Sequence, residues 1–328
     1  MIESPSGAIF RVSILMPVYG DWECAAAVCQ ALDEKLRAWP QIEARVLLVD
    51  DGSPEGLKGW KAFEWQALGQ IEVLRLRRNL GHQRAICAGI CYIQQHFSCD
   101  GFLVMDADGE DRAEDAIRLI ELAASDPHTV FFAQRQRRFE GVLFRLGYHL
   151  YRATHWLLTG VSVRVGNFSI VPCGALARLT CMSELWNHYA GAIFKSKLPF
   201  KCIPMNRGRR AAGRSHMNLI SLVAHGISGI ATFSETVATR ILISNLLGVG
   251  ALTAILGWCI GRTLWATGRI PGWVAYVSAL MLVLFVQLLW MAFSLVFLLM
   301  SNRTSKEFVP IRDYEVFVDR LENAPRLA

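Results

Sequence analysis

The stretch GFLVMDADGED, residues Gly101–Asp111, decides the predicted fold and the predicted site. Its apolar half has the composition of a buried strand, and this run ends at Asp106, which Asp108, Glu110 and Asp111 follow. Carboxylates this close repel one another, so their concentration at a strand end predicts a cation that compensates them. Two aspartates one residue apart offer the oxygen ligands that Mg²⁺ combines with substrate phosphates. A lone Asp-x-Asp pair also occurs as a helix cap, so the metal and diphosphate interpretation needs support from the rest of the chain.

The segments before this stretch alternate between strand-like and helix-like patterns. Apolar runs at Arg11–Gly20 and Ala44–Ser53 end in turn-forming or acidic residues, and a third strand candidate, IEVLRL, follows them. Helical spacing separates the runs in WECAAAVCQALDEKLRAW and again in NLGHQRAICAGICYIQQ. This order predicts an α/β fold with a parallel sheet covered by helices, whose ligands bind beyond the carboxyl ends of the strands. Four aspartates fall at such ends: Asp50, Asp51, Asp106 and Asp108.

Two long segments near the C-terminus carry no charge, residues 241–260 and residues 273–300. About 20 helical residues span a hydrocarbon core of roughly 30 Å, so each segment is long enough to cross a bilayer. Buried helices of a large domain have a similar composition, but two such segments joined by a short RIPG-containing loop predict a transmembrane hairpin. The N-terminus shows no basic segment followed by an apolar run, so we expect no signal peptide and a cytosolic N-terminal part.

Two further segments have the composition of membrane-surface helices. Residues 134–160 mix five arginines with aromatic and aliphatic side chains, and residues 216–239 lead directly into the first apolar segment. Such helices suit anionic lipid headgroups, and a solvated helix packed on the sheet is the alternative. The expected organisation is a sheet domain over 1–214 including an interfacial helix over 134–160, a juxtamembrane helix over 215–239, membrane helices over about 241–262 and 273–300, and a cytosolic tail over 301–328.

Composition limits the remaining possibilities. The nine cysteines include no Cys-x-x-Cys pair, and in a cytosolic domain we expect them to be reduced and mostly buried rather than paired in disulfides or bound to zinc. The net charge of +6 is concentrated in a few segments, and the chain has neither an internal repeat nor a low-complexity tract. We expect membrane lipids rather than nucleic acid as the partner of the basic segments.

Four motifs resemble, in their order and spacing, those of family-two inverting glycosyltransferases with the GT-A fold: SILMPVYGDWE, VLLVDDGSPEG, RNLGHQRAICAG and FLVMDADGED. Within this family the chain is most similar to polyprenyl-phosphate glycosyltransferases, the dolichyl-phosphate mannose synthases and bactoprenol glucosyltransferases. The resemblance extends over roughly residues 10–300 and includes the paired apolar segments and the stretch GRSHMNLISLVAHGISGIATFSE. It implies a Rossmann-like, mostly parallel GT-A domain on the cytosolic side of the bacterial inner membrane, anchored there as an integral membrane protein.

The resemblance also implies roles for individual residues. A nucleotide-sugar would be bound by seven positions: Pro17, Tyr19, Glu23, Asp50, Asp51, His82 and Asp106. Mg²⁺ or Mn²⁺ would be held by Asp106, Asp108 and Glu110. His82 opens a helix, so either it touches the phosphates of the nucleotide-sugar or it only hydrogen-bonds its own loop.

A basic cluster completes the predicted site. The segment RGRRAAGRS places four arginines in eight residues, and each guanidinium is a planar fork suited to phosphate oxygens. The resemblance implies an anion pocket for the lipid phosphate or the diphosphate, formed by Arg135, Arg210, Arg214, Ser215 and Asn218. A patch for anionic lipid beside the membrane is a second interpretation, compatible with the first.

The chain departs from the family at several positions. Gly20 replaces an asparagine and His216 a lysine, and in GNFSIV, residues Gly166–Val171, Asn167 replaces the carboxylate that the resemblance proposes as catalytic base, while Ser169 replaces an arginine. An amide cannot take a proton. We therefore place Asp108, Asp111 and Asn167 at the reacting centre and name Asp111 as the base if one is used, its alternative roles being support of a metal ligand or a helix N-cap.

The nature of the acceptor decides how much the missing carboxylate matters. A sugar hydroxyl needs a positioned general base, whereas a phosphate monoester with a second pKa near 6 is largely a dianion at pH 7. We therefore expect transfer of one sugar from a UDP- or GDP-sugar to a polyprenyl phosphate. The alternatives are transfer to a hydroxyl of a lipid-linked saccharide, and a non-catalytic nucleotide-sugar-binding membrane protein. Association into a homo-oligomer is compatible with each of them.

Overall fold

The computed structural model describes residues 9–60, 63–135, 152–161, 165–205, 208, 226–269, 272–304 and 308–325. The chain divides into two units. The first comprises Met1–Tyr148, Val163–Thr232 and Phe308–Ala328, and the second comprises His149–Ser162 and Phe233–Glu307. The first unit thus includes chain segments that precede and follow the second unit. The domain boundaries expected from the sequence stay predictions.

An eight-stranded sheet organises the first unit. Its strands are β1 Phe10–Val18, β2 Ile42–Asp50, β3 Leu68–Leu76, β4 Gly101–Val104, β5 Val130–Arg135, β6 Ser169–Pro172, β7 Phe200–Met205 and β8 Val318–Asn323. Their order in the sheet is β7-β5-β6-β4-β1-β2-β3-β8. Strands β1 to β4 pair in parallel, as do β5 and β7, whereas β6 and β8 are antiparallel to their neighbours. The predicted GT-A-like, mostly parallel α/β sheet is confirmed.

Helices cover both faces of this sheet. The first three helices are α1 Trp22–Leu36, α2 His82–His96 and α3 Ala113–Ser125, and shorter helices follow at α5 Leu176–Thr180, α6 Tyr189–Lys195, α7 over residues 226–231 and α10 Pro310–Asp313. Helices α1 and α3 pack with one face of the strands, and α2, α5 and α6 pack with the other. Gly89 of α2 allows a close approach, because a Cβ there would lie 2.2 Å from Leu15 Cδ1 of β1.

The second unit contains three described helices: α4 over residues 152–159, α8 Ser234–Thr267 and α9 Gly272–Thr304. Mean hydropathy reaches 1.8 in Ser234–Thr267 and 2.5 in Gly272–Leu298, so both helices are long and apolar enough to cross a membrane. Gly268, with a φ of 64°, ends α8 in the left-handed conformation that glycine adopts without strain. The prediction of two apolar C-terminal helices is confirmed, and α8 begins before the expected residue 241.

Parts of the predicted surface helices lie outside the described residues. Of the expected interfacial helix over 134–160, residues 134–135 belong to β5 and residues 152–159 are helical. Of the expected juxtamembrane helix over 215–239, residues 226–231 form α7 and residues from Ser234 onward belong to α8. The boundaries of both segments therefore stay predictions.

One expectation about the cysteines is wrong. Cys99 and Cys173 form a disulfide across a sequence separation of 74 residues. The cause is the antiparallel pairing of β4 with β6, in which Gly101 lies opposite Pro172, so the residues just before β4 and just after β6 become neighbours. The other cysteines in the described part of the chain belong to no disulfide: Cys24, Cys29, Cys87, Cys91, Cys181, Cys202 and Cys259.

Candidate functional site

The carboxyl ends of three parallel strands meet at one edge of the sheet. In the register of β1 and β2, Val18 lies opposite Asp50, and Leu15 lies opposite Val104 of β4. The backbone N–H of Met105 continues this pairing by donating to Leu15 O at 3.1 Å. The turns that follow β1, β2 and β4 therefore lie side by side, as the sequence predicts.

Asp50 ends β2 as a fully buried carboxylate. Its Oδ1 accepts a 2.8 Å hydrogen bond from the backbone N–H of Ser53, and its Oδ2 lies 3.1 Å from Nε of Arg75, which faces it from β3. Arg75 Nε also lies 3.9 Å from Glu322 Oε1, on β8. The negative charge of Asp50 is thus balanced inside the sheet edge by an arginine that the C-terminal strand also contacts.

The carboxylate of Asp51 binds the backbone of the loop before α2. Its two carboxylate oxygens accept backbone hydrogen bonds from Leu80 at 2.6 Å and Gly81 at 2.9 Å. Burial raises the pKa of Asp51, and these two hydrogen bonds partly oppose the rise. The neighbouring Gly52 has a φ of 74°, and a Cβ there would lie 2.5 Å from the carbonyl carbon of Arg78. Both residues therefore fix the loop that leads into α2.

The acidic turn after β4 is organised by its own carboxylates. Asp111 is buried, and its Oδ2 accepts a 2.9 Å hydrogen bond from the backbone N–H of Asp106. Asp108 Oδ1 accepts one of 3.0 Å from the N–H of Glu110. The N-cap of α3 is Arg112, so the alternative role of Asp111 as a helix N-cap is wrong. Asp111 instead holds the backbone of a predicted metal ligand.

Two side chains from other elements meet beside Asp106. His82, the first residue of α2, places Nε2 3.3 Å from Asp106 Oδ1 and 2.9 Å from Asn167 Nδ2. Gln83 donates from Nε2 to Asn167 Oδ1 at 3.2 Å, and its Oε1 accepts from the backbone N–H of Tyr189 at 2.8 Å. The sequence predicts His82, Asp106 and Asn167 at the site, and the structure brings these three together. The sequence did not predict Gln83 and Tyr189 at the site. The polar pair His82–Gln83 at the start of α2 is a pattern that could have indicated Gln83.

The arginine-rich segment reaches the acidic turn at its one described residue, Gly208. The backbone N–H of Gly208 donates to Glu110 O at 2.9 Å. A Cβ on Gly208 would lie 2.8 Å from Gly109 O, so only glycine fits there without displacement. Four predicted phosphate contacts lie outside the described residues: Arg210, Arg214, Ser215 and Asn218. For Arg135, the last residue of β5, only the backbone is described.

The remaining predicted nucleotide contacts lie at the end of β1 and the start of α1. Pro17 lies opposite Val49 within the sheet, Tyr19 is exposed just beyond β1, and Glu23 belongs to the first turn of α1. A Cβ on Gly59 would lie 2.6 Å from Glu23 Cγ, so Glu23 borders the loop that follows β2.

The donor set fits a hard divalent cation. Asp106 and Asp108 carry their carboxylates on one turn, and Asp106 lies 3.3 Å from His82 at the N-terminus of α2. Within the described residues no group of three or more His, Cys, Asp or Glu side chains is placed to hold a metal ion. Such a turn suits Mg²⁺ or Mn²⁺ held by one or two carboxylates together with substrate phosphates, rather than by a closed protein cage.

Comparison with known proteins finds one relative that is similar over part of this chain and another that is similar over most of it. Undecaprenyl-phosphate 4-deoxy-4-formamido-L-arabinose transferase of Sodalis glossinidius is 32% identical over 133 residues, which are 40% of this chain and 39% of that protein. The chain thus spans about two fifths of the length of this relative. Uncharacterized glycosyltransferase YkcC of Bacillus subtilis is 23% identical over 276 residues, 81% of this chain and 82% of that protein.

Among solved structures, mannosyl-3-phosphoglycerate synthase from Rubrobacter xylanophilus superposes with a TM-score of 0.47 at 14% identity, covering 69% of this chain and 73% of that chain. Residues 13–180 match the family described as Glycosyl transferase family 2, and they contain most of β1, the whole of β2, β3 and β4, the acidic turn and Asn167. Because this match covers more than half of the 328 residues, the chain belongs to glycosyl transferase family 2.

Proposed function

We propose that this protein transfers one sugar from a UDP- or GDP-sugar to a polyprenyl phosphate, with inversion at the anomeric carbon, at the cytosolic face of the bacterial inner membrane. The observation that carries the proposal is that the acidic turn Asp106–Asp111 and the buried Asp50 follow strands whose carboxyl ends share one edge of the sheet. The chain belongs to family 2 and also contains two helices of membrane-spanning length. The Sodalis glossinidius relative is named as an undecaprenyl-phosphate sugar transferase, and this name supports the acceptor class.

In this proposal each strand end has its own task. Asp50 binds the nucleoside together with Pro17, Tyr19 and Glu23. Asp106 and Asp108 would hold Mg²⁺ or Mn²⁺ together with the phosphates of the sugar nucleotide, and the cation when bound would neutralise charge on the leaving diphosphate. The acidic turn keeps its shape because Asp111 accepts the N–H of Asp106 at 2.9 Å. The arginine-rich segment around Gly208 supplies positive charge to the phosphates.

The chemistry needs no base from the protein when the acceptor is a phosphate. A phosphate oxygen of the lipid forms a bond to the anomeric carbon, the bond from that carbon to the diphosphate oxygen breaks, and the nucleoside diphosphate leaves with the electron pair. The phosphate dianion has no proton to lose in this step. Asn167, which cannot take a proton, is therefore compatible with this acceptor.

Transfer to a hydroxyl would require Asp111 as base, because Asn167 is excluded. Asp111 is buried and its Oδ2 already accepts the backbone N–H of Asp106, which makes it a support of the turn rather than a group open to a substrate hydroxyl. This geometry favours the phosphate acceptor over the hydroxyl acceptor. The intact acidic turn argues against a non-catalytic binding protein.

Nucleotide release from the full-length protein in detergent tests the proposal. We expect one member of a panel of UDP- and GDP-sugars, with Mn²⁺ or Mg²⁺, to release nucleotide at a rate that polyprenyl phosphate stimulates. Asp108→Ala should abolish the stimulated release. Asp126→Ala is the matched control, because Asp126 pairs with Lys201 at 3.0 Å just before β5 begins, at the opposite edge of the sheet. Binding of a nucleotide-sugar without release in the presence of any lipid phosphate would contradict the proposal.

A further inference from the structure

We propose that Asn167 is a positioning residue that donates a hydrogen bond to Nε2 of His82 and thereby fixes the orientation and tautomer of this ring beside Asp106. The orientation of the ring follows from the donor-to-acceptor direction, here called the polarity, of a chain of hydrogen bonds that begins at Tyr189 and ends at His82. The role of Asn167 in sugar transfer rests on the proposed function, whereas the polarity of the hydrogen-bond chain is independent of it.

The polarity is set at the Tyr189 end. A backbone N–H can only donate, so the atom of Gln83 that faces Tyr189 N at 2.8 Å is the carbonyl oxygen Oε1. The other terminal atom of Gln83 is therefore the amide nitrogen Nε2, which can only donate. It faces the side chain of Asn167 at 3.2 Å.

The same logic orients Asn167. Because Gln83 donates, the atom of Asn167 that it meets is Oδ1, and Nδ2 must point to His82. An amide nitrogen accepts no hydrogen bond, so His82 Nε2, at 2.9 Å, is the acceptor. A histidine that accepts at Nε2 carries its ring proton on Nδ1.

The network is anchored in the interior. Tyr189 is fully buried on α6, and its hydroxyl lies 2.9 Å from Oγ of the equally buried Ser169. Ser169 Oγ also donates to the backbone carbonyl of Asn167 at 3.0 Å. Both the side chain and the backbone of Asn167 are thus held. Asn167 and Ser169, two of the four positions at which the chain departs from the pattern that its resemblance implies, belong to one network. A small hydroxyl at 169 leaves the space that Tyr189 occupies.

The consequence for the site concerns the contact between His82 and Asp106. His82 Nε2 lies 3.3 Å from Asp106 Oδ1. Since Nε2 accepts from Asn167, it has no proton to give to this carboxylate. The ring therefore lies beside Asp106 without donating a hydrogen bond from Nε2 to this carboxylate. A carboxylate at 167 would accept instead, and it would turn His82 into an Nε2–H donor.

The test reads the tautomer directly. Full-length protein with ¹⁵N-labelled histidine in detergent gives long-range ¹H–¹⁵N spectra in which a protonated and an unprotonated ring nitrogen differ. The chain has eight histidines, and the His82 signals are those that His82→Gln removes. We expect the wild type to show Nδ1 protonated and Nε2 unprotonated. A wild-type spectrum with the proton on Nε2, or on both nitrogens, would overturn the proposal whatever the activity is.

A relay variant tests the chain without changing Asn167 or His82. In Gln83→Glu the carboxylate still accepts from Tyr189 N but no longer donates, so Asn167 must rotate its amide and offer Oδ1 to His82. We expect the His82 proton to move to Nε2 and the KM for the sugar nucleotide to rise about five- to tenfold, the usual effect of one misplaced hydrogen bond. Gln94→Glu is the matched control on the same helix, where Gln94 Oε1 accepts from Thr180 Oγ1 at 2.6 Å. Equal His82 spectra in wild type and Gln83→Glu would refute the relay.

Discussion

At the scale of single residues, several buried carboxylates hold the backbone rather than a ligand. Asp33 of α1 accepts three backbone hydrogen bonds at Oδ1, from Gln66 at 2.9 Å, Ala67 at 2.8 Å and Leu68 at 2.9 Å. Its Oδ2 lies 2.9 Å from Arg37 Nη2. One side chain thus satisfies the donors at the entry to β3, which no apolar replacement can do.

We expect Asp33→Asn to destabilise the first unit by about 2 kcal/mol, because hydrogen bonds to a charged acceptor contribute roughly 1.5–3 kcal/mol. Burial alone would raise the pKa of Asp33, but the hydrogen bonds from Leu68, Arg37, Ala67 and Gln66 lower it overall. A carboxyl with a lowered pKa in the folded state stabilises above its unfolded pKa of about 3.9 and loses this contribution as the pH falls. Thermal unfolding between pH 7 and pH 3 measures the effect, and a difference that stayed constant as the pH fell to 3 would contradict it.

The pKa of Glu72, on β3, is shifted in the opposite direction to that of Asp33. Its side chain is 7% exposed, Gln70 Nε2 donates to its Oε1 at 2.9 Å, and burial raises its pKa while Arg45 and His96 oppose the rise. The folded state therefore favours the neutral form, so ionised Glu72 destabilises the protein above its raised pKa. We expect Glu72→Gln to be more stable than wild type at pH 7 and equal to it below the ordinary glutamate pKa of about 4.3. Glu43→Gln, at an exposed position of β2, is the control that should change nothing at either pH.

At the scale of elements, the C-terminal strand β8 is what the sequence failed to predict. The stretch VDRLEN is short and polar, and its partner β3 lies more than 240 residues earlier, so neither hydrophobic alternation nor a nearby turn indicates the pairing. The strands β1, β2 and β4 were predicted because each has an apolar run that ends in turn-forming or acidic residues. For the same reason the acidic turn was predicted, whereas Gln83 and Tyr189, which act through long-range contacts, were not.

The position of β8 predicts a contribution to nucleotide binding. Glu322 lies 3.9 Å from Arg75 Nε, which lies 3.1 Å from Asp50 Oδ2. We expect Glu322→Lys to displace Arg75 by charge repulsion and to weaken nucleoside diphosphate binding several-fold, with little change in kcat. Asp319→Lys, on the same strand and paired with Arg320 at 3.8 Å, is the matched control. Equal affinities of the two variants, measured by calorimetric titration, would show that β8 does not support Asp50.

The disulfide joins two elements that carry the site, through the loops before β4 and after β6. A cytosolic location keeps most thiols reduced, so we expect Cys99 and Cys173 to be thiols in the cell and to form their disulfide once the protein is purified without reductant. We expect non-reducing peptide mapping of protein purified without reductant to recover the Cys99–Cys173 peptide pair. Closing a loop of 74 residues contributes about 4 kcal/mol in the chain-entropy description. The double variant Cys99→Ser, Cys173→Ser should therefore unfold at lower denaturant than the oxidised protein and at the same denaturant as the reduced protein.

At the scale of the whole molecule, the order of elements along the chain constrains the membrane topology. Strand β3 precedes helices α8 and α9, and strand β8 follows them, yet β3 and β8 pair in one sheet. Both ends of the helical pair must therefore lie on the same side of any membrane that these helices cross. An odd number of crossings between β3 and β8 is excluded, and two crossings satisfy the sheet.

Reporter fusions distinguish two crossings from none. Green fluorescent protein or alkaline phosphatase is fused either after Ala328 or within the loop after Gly268. The fluorescent protein fluoresces only in the cytosol, and the phosphatase is active only outside it. We expect fluorescence without phosphatase activity at the C-terminus and the reverse at Gly268, because a hairpin that crosses twice exposes only its turn on the far side. Fluorescence at both positions would mean that the two helices, whose apolar side chains are mostly exposed, lie on one side of the bilayer. Phosphatase activity at both positions would contradict a cytosolic location of the sheet. It would also contradict the proposal that the sugar nucleotide reaches the site from the cytosol.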